Sequence, residues 1–223
     1  MTRALTFPPR PTAPAVPLVH AVTSDEIVSR ADFIDVACAV MRALGPRGAI
    51  HLRAPRATPG ALFQLGEALS VAQRLTGAWL VVNDRVDVAM AVGARGAQLT
   101  SRSLVVDDAR RSAPALAIGA SVHGLDDGRS AARAGADWLV AGQIFATSLH
   151  VGREARGMDL VEGLVAGTPV PVIAIGGMLP GHCRPLRLAG VHGVAVIRGI
   201  WDAPNAERAA SDYLSCYDDA GVA

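Results

Sequence analysis

Residues 117–145 read AIGASVHGLDDGRSAARAGADWLVAGQIF. The stretch opens on an apolar run, 117–120, that stops at Ser121-Val122-His123. It closes on a second run, 138–141, that stops at Gly142-Gln143. The segment between has helical character. Strand, helix and strand within about thirty residues make the parallel βαβ unit, and small or polar residues stand where each strand ends.

The unit recurs along the chain. Downstream, 170–175 runs into Gly176-Gly177 and 194–197 into Arg198-Gly199. Upstream, 18–22, 49–53, 79–82 and 97–99 are strand candidates; the second carries His51 and Arg53, and the third ends in Asn83-Asp84. Residues 25–44 read as one helix, with Ile27, Ala31, Ile34, Ala37, Val40 and Met41 near one face and Gly45-Pro46 as its stop. Thr58 reads as an N-cap with Pro59 at the first helical position of a helix reaching about residue 75. A helix through Val86, Ala89, Met90 and Val92 follows, then helices over 103–112, 126–134, 158–166, 180–189 and 205–217. Eight strands alternating strictly with eight helices predict an α/β fold, a single-domain (β/α)8 TIM barrel over 18–223, rather than an open doubly wound sheet. In such a barrel the active site is built at the C-terminal ends of the strands.

Composition narrows the function. The 223 residues suit one large domain, and 51% are apolar. Net charge is +1, which gives no footprint for nucleic acid. All 21 cationic side chains are arginine, so Schiff-base chemistry is excluded. Cys38, Cys183 and Cys216 show no metal or disulfide spacing and fit reduced thiols in the cytoplasm. The proline-rich residues 1–17 read as a disordered leader, not a secretory signal, and no apolar run is long enough to span a membrane.

On the strand-end rim, His123 is the proton-transfer group that titrates near neutral pH. A structural histidine bonded to a strand-end carbonyl is the alternative. Gly176, Gly177 and Gly199, with Arg198, stand where barrels often hold a phosphate on backbone N–H groups. Tight turns are the competing reason for the glycines. His51 and Arg53 alternate on one strand and so both point inward. Arg53 pairs either with a substrate carboxylate or with an internal acid such as Asp84, which itself either binds ligand or caps a helix. Asn83, Gln143 and Thr147 complete the set expected to bind substrate. His20, His150, His182 and His192 show no pattern beyond satisfied or solvated histidines.

Several segments together resemble the thiamine phosphate synthase superfamily: His51-Leu52-Arg53, residues 81–89, Gly119-Ala120-Ser121-Val122-His123, Gly135-Ala136-Asp137, residues 142–147, Ala174-Ile175-Gly176-Gly177-Met178 and residues 193–197. The resemblance implies a barrel that binds a thiazole phosphate. Two departures stand out. Synthases of that family resemble a glutamine-leucine-arginine-x-lysine run after the second strand, and here Ala54-Pro55 follows Arg53. After the fourth strand they carry an acidic Mg²⁺ ligand, and here the stretch is Thr100-Ser101-Arg102-Ser103.

Arg102-Ser103, the Ser-Val-His run and Ala155-Arg156-Gly157 resemble instead the thiazole tautomerase branch. That branch implies a metal-independent 1,3-proton shift on a carboxylated thiazole phosphate, with His123 as base and then acid, and no cofactor. The alternatives are a Mg²⁺-dependent thiamine phosphate synthase joining a pyrimidine pyrophosphate to the thiazole phosphate, and a non-catalytic binder of the thiazole phosphate. The resemblance also suggests a homodimer.

Overall fold

The computed structural model describes residues 14–146 and 155–219. Eight parallel strands close in sequence order into a barrel, each hydrogen-bonded to the next and β8 to β1. They are β1 (Val19–Val22), β2 (Gly48–Leu52), β3 (Trp79–Asn83), β4 (Gly96–Leu99), β5 (Ala117–Val122), β6 (Trp138–Gly142), β7 (Val172–Ile175) and β8 (Gly193–Val196). All eight coincide with the apolar runs of the sequence. Alternation along each strand sends one set of side chains outward, where Val19, Ala21, Ile50, Leu52, Leu80 and Val82 meet the helices. The other set fills the barrel, with Ala49, Trp79, Val81, Ala117, Trp138 and Ile173 in contact there.

The helices surround this sheet: α1 (Asp25–Val28), α2 (Phe33–Leu44), α3 (Pro59–Thr76), α4 (Val86–Ala91), α5 (Val106–Ser112), α6 (Leu125–Arg133), α7 (Gly157–Gly167), α8 (Cys183–Leu188), α9 (Arg198–Trp201) and α10 (Ala206–Asp219). Thr58 caps α3, its Oγ1 accepting from the Ala61 amide, and Gly77 ends it at φ 77°.

Three boundaries differ from expectation. The single helix over 25–44 is broken, because Ser29 closes α1 and the Arg30 guanidinium is drawn off to the Trp201 carbonyl (2.5 Å) and Asp202 (2.6 Å). The helix expected from 103 begins at Val106, because the Ser103 hydroxyl and the Thr100 backbone bond each other in a turn. The helix expected over 180–189 opens as a 3₁₀ turn, Pro180–His182, before α8. At the other end of the barrel, Val16 is buried and its carbonyl accepts from His192 Nε2 at 2.8 Å. Residues 16 and 17 therefore pack against this end of the barrel. The rest of the expected leader, 1–13, lies outside the described residues, and among those described no helix is long and apolar enough to cross a membrane.

Candidate functional site

A cavity of about 1770 Å³ opens at the C-terminal ends of the strands. His51, Arg53, Asn83, His123, Gln143, Gly176, Gly177, Arg198 and Gly199 all line it, so the fold brings together nine of the eleven residues expected there. Thr147 lies outside the described residues. Asp84 is not on the cavity wall. It adopts φ 62°, which Asp tolerates better than most side chains, and its Oδ1 accepts from the Thr100 amide (2.9 Å) and hydroxyl (2.7 Å). Asp84 thus staples the turn after β3 to the turn after β4 through Oδ1, and forms no ion pair with Arg53.

Arg53 follows β2 directly. Thr23 holds its backbone, with the Arg53 amide donating to Thr23 Oγ1 (2.8 Å) and that hydroxyl donating to the Arg53 carbonyl (2.9 Å). The guanidinium is half-buried on the cavity wall with no carboxylate partner among the described residues. Among the described residues, Arg30, Arg53, Arg156 and Arg198 line the cavity together with two carboxylates, Glu26 and Asp202. Both acids are already paired, Glu26 with Arg56 and Asp202 with Arg30, each at 2.6 Å. The cavity is cationic and suited to anions. Arg156, at the start of α7, escaped the sequence reading as a site residue, since an arginine in a long loop carries no periodic signal.

His123 is exposed on the rim, and its Nδ1 lies 2.9 Å from the Gly142 carbonyl. A carbonyl only accepts, so Nδ1 carries the proton and Nε2 is the free position. The bond to the strand-end carbonyl is the one the structural reading expects, and the residue also lines the cavity. Deeper in, Asn83 Oδ1 and both polar atoms of the Gln143 amide are buried without a protein partner. Buried polar atoms are nearly always satisfied, so such a cluster in a cavity points to a ligand.

Gln98 and Ser121 complete the wall, with Gln98 Nε2 donating to Ser121 Oγ (3.0 Å) and Gln98 Oε1 accepting from Trp138 Nε1 (2.8 Å). A glutamine at an inward position of an apolar strand was the signal for Gln98. Below them sit His51 and His20, both fully buried, with His51 Nε2 and His20 Nδ1 2.7 Å apart. Burial pushes the His20 pKa down to about 4, against the pull of the Pro17 carbonyl. It holds His51 well below the usual imidazole range as well, with repulsion from His20 adding to it.

Gly176 and Gly177 have φ of 102° and 63°, and a Cβ on Gly177 would meet Phe145 and the Ala146 carbonyl. Gly199 leaves room for the Tyr213 hydroxyl. These glycines therefore satisfy close packing. The Gly177 and Gly199 amides nonetheless donate to no backbone carbonyl of a described residue outside the helices and strands.

The described residues hold no group of three His, Cys, Asp or Glu side chains placed for a metal, and Asp84 has Oδ1 committed to Thr100.

The thiamine-phosphate synthase of Pyrococcus furiosus is 34% identical over 168 residues, covering 75% of this chain and 81% of that protein. The thiamine-phosphate synthase of Methanoregula boonei is 38% identical over 186 residues, covering 82% and 84%. Among solved structures, a thiamine phosphate pyrophosphorylase from Pyrococcus furiosus superposes with TM-score 0.80 at 30% identity, covering 92% of this chain and 98% of that one. These relatives overturn the tautomerase and isomerase reading and with it His123 as the acid–base of a proton shift, because the proteins similar along most of the chain are synthases. The sequence profile of thiamine monophosphate synthase matches residues 19–200, and the chain belongs to that family.

Proposed function

We propose that the protein is a thiamine-phosphate synthase, a transferase in which a thiazole phosphate displaces pyrophosphate from a pyrimidine pyrophosphate. The observation that carries this reading is the synthase name of relatives 34–38% identical over most of both chains. The cavity supports it. At about 1770 Å³ it exceeds the range of about 300–1,000 Å³ that one small ligand usually needs, which leaves room for two substrates.

The roles follow from charge and position. Arg53 and Arg156 hold the pyrophosphate and neutralise it as it leaves, a task that guanidinium forks perform bidentately. The Gly177 and Gly199 amides, with Arg198, hold the phosphate of the thiazole. Asn83 and Gln143 meet the heterocycles with their unpartnered polar atoms, and His123 offers Nε2 at the rim. Arginine supplies charge neutralisation where the family resemblance would lead one to expect lysine and a second acid.

The test is to incubate the protein with both substrates, with Mg²⁺ and with chelator, and to follow thiamine phosphate and pyrophosphate by mass. Formation of both products supports the reading. No product in either condition sinks it.

A further inference from the structure

The hydrogen bonding between β1 and β2 continues past the ends of both strands, and its last rung is made by a side chain. The register pairs Val22 with His51, and one step on the Thr23 amide donates to the His51 carbonyl at 3.0 Å. A regular parallel ladder would next send the Arg53 amide to the Thr23 carbonyl. It goes instead to the Thr23 hydroxyl, at 2.8 Å. The same oxygen stands 2.9 Å from the Arg53 carbonyl and 3.1 Å from the His51 carbonyl, so its one proton is spent on those acceptors. Thr23 is fully buried. Its hydroxyl therefore grips Arg53 by both backbone polar groups, out of reach of competing water.

A second grip falls at Arg56. Asp25 Oδ1 accepts from the Arg56 amide at 2.9 Å, and Asp25 Oδ2 lies 3.1 Å from Arg56 Nε. Between the two grips stands Pro55, which offers no amide and restricts the residue before it. The chain that leaves β2 is thus splinted by the chain that leaves β1. An arginine side chain turns about several bonds, so its guanidinium reaches one place reproducibly where the backbone beneath it is fixed.

We propose that Thr23 is a positioning residue for the reaction: its hydroxyl, standing in for a backbone rung, aims the Arg53 guanidinium at the pyrophosphate group. Pyrophosphate as the target rests on the synthase reading. The hold of Thr23 on Arg53 does not.

The test is a double-mutant cycle on the full chain, read by calorimetry as the Kd for inorganic pyrophosphate at fixed Mg²⁺. Thr23→Val keeps the shape of the side chain and removes the hydroxyl, and it should raise that Kd about three- to tenfold. Thr23→Ser keeps the hydroxyl and should stay within about twofold of the parent. In an Arg53→Ala background Thr23→Val should have no further effect, since no guanidinium is left to aim. In turnover, Thr23→Val should raise the KM for the pyrimidine pyrophosphate and leave the KM for the thiazole phosphate at its parent value.

A loss of the same size with and without Arg53 would mean that Thr23 serves the fold at large, and would overturn the proposal. So would a folded Thr23→Val protein with the parent Kd, or a Ser variant as weak as Val. If Thr23→Val does not fold, Thr23→Ala, which leaves a gap in place of a methyl group against the Arg53 amide, enters the cycle with the same expectations. If neither folds, Thr23 holds the barrel and not the arginine, and the proposal falls. A parent that binds no pyrophosphate, or binds it equally after Arg53→Ala, removes Arg53 from that role and Thr23 with it. A parent that makes no thiamine phosphate sinks the synthase reading, whereas additive losses in a parent that does make it sink only the role of Thr23.

Discussion

At the scale of single residues, the Arg53 guanidinium, without a carboxylate partner among the described residues, carries the sharpest expectation. Hydrogen bonds to charged groups are worth about 1.5–3 kcal/mol, so Arg53→Ala should lower kcat/KM for the pyrimidine pyrophosphate by roughly 10- to 100-fold. The KM for the thiazole phosphate should barely move. Steady-state kinetics with each substrate varied in turn checks this, and equal losses for both would place Arg53 elsewhere in the reaction. Its sequence position was legible from strand alternation, but its freedom from Asp84 was not. That depended on Thr100, sixteen residues away from Asp84, capturing the carboxylate.

His20 makes a second expectation, for stability. The folded chain keeps it neutral down to about pH 4, whereas an unfolded histidine protonates near 6.5. Between those values the unfolded chain binds more protons, so stability falls as pH drops through that window and is full above it. His51 acts in the same direction. Urea unfolding at pH 7.5 and pH 5 should show a loss on the order of 1–3 kcal/mol, smaller in His20→Gln. An undiminished loss in that variant would place the titration on another group. His20 reads in the sequence as an ordinary core histidine because its partner lies thirty-one residues on, in another strand.

At the scale of elements, the strands were legible and the helix boundaries less so. Apolar runs of four to six residues stopping at small or polar residues mark every strand, because a covered parallel sheet needs both faces apolar. The break between α1 and α2 could not be seen. The periodicity runs through it, and Arg30 finds its acceptors 171 and 172 positions away.

The seam between β5 and β6 offers a test of element packing. Asp137 is buried, and its Oδ2 accepts from both the Ile118 amide and Arg110, each at 2.7 Å. Removing the carboxylate takes the charge partner from a largely buried guanidinium, which keeps the Leu116 and Gly135 carbonyls, and leaves the Ile118 amide unmatched, so Asp137→Ala should cost about 1.5–3 kcal/mol in chemical denaturation. A cost under about 1 kcal/mol would mean that water satisfies both groups. On the same strand a Cβ at Gly119 would collide with the Trp138 ring and Gln98 Oε1. Gly119→Ala should therefore destabilise by about 1–3 kcal/mol and also disturb the cavity wall through Gln98.

At the scale of the whole molecule, the barrel was legible because eight repeats of one pattern leave little choice of architecture. The reaction was misread, and the reason is physical. The missing lysines and the arginine at position 102 remove parts that the resemblance attaches to a synthase. A cavity that gathers Arg30, Arg53, Arg156 and Arg198 from four separate stretches of chain restores the positive charge, and no linear motif reveals such a gathering. If that charge suffices, product formation should persist in excess chelator. Complete loss there, recovered with Mg²⁺, would show that the arginines do not replace the ion.

The packed interior has one more consequence. Trp79, Trp138, Val81 and Ile173 pack together inside the barrel, and His20 and His192 bond the Pro17 and Val16 carbonyls at its far end. A vessel stoppered at its base has one mouth, and traffic through one mouth forms a queue. On the proposed synthase reading, a substrate seated against Asn83 has to arrive ahead of one held at the rim, and a latecomer parked at the rim blocks the way in. Initial rates should accordingly show compulsory order, with the pyrimidine first and with excess thiazole phosphate inhibiting until more pyrimidine relieves it. Random-order kinetics would mean that the rim opens wide enough for the two to pass.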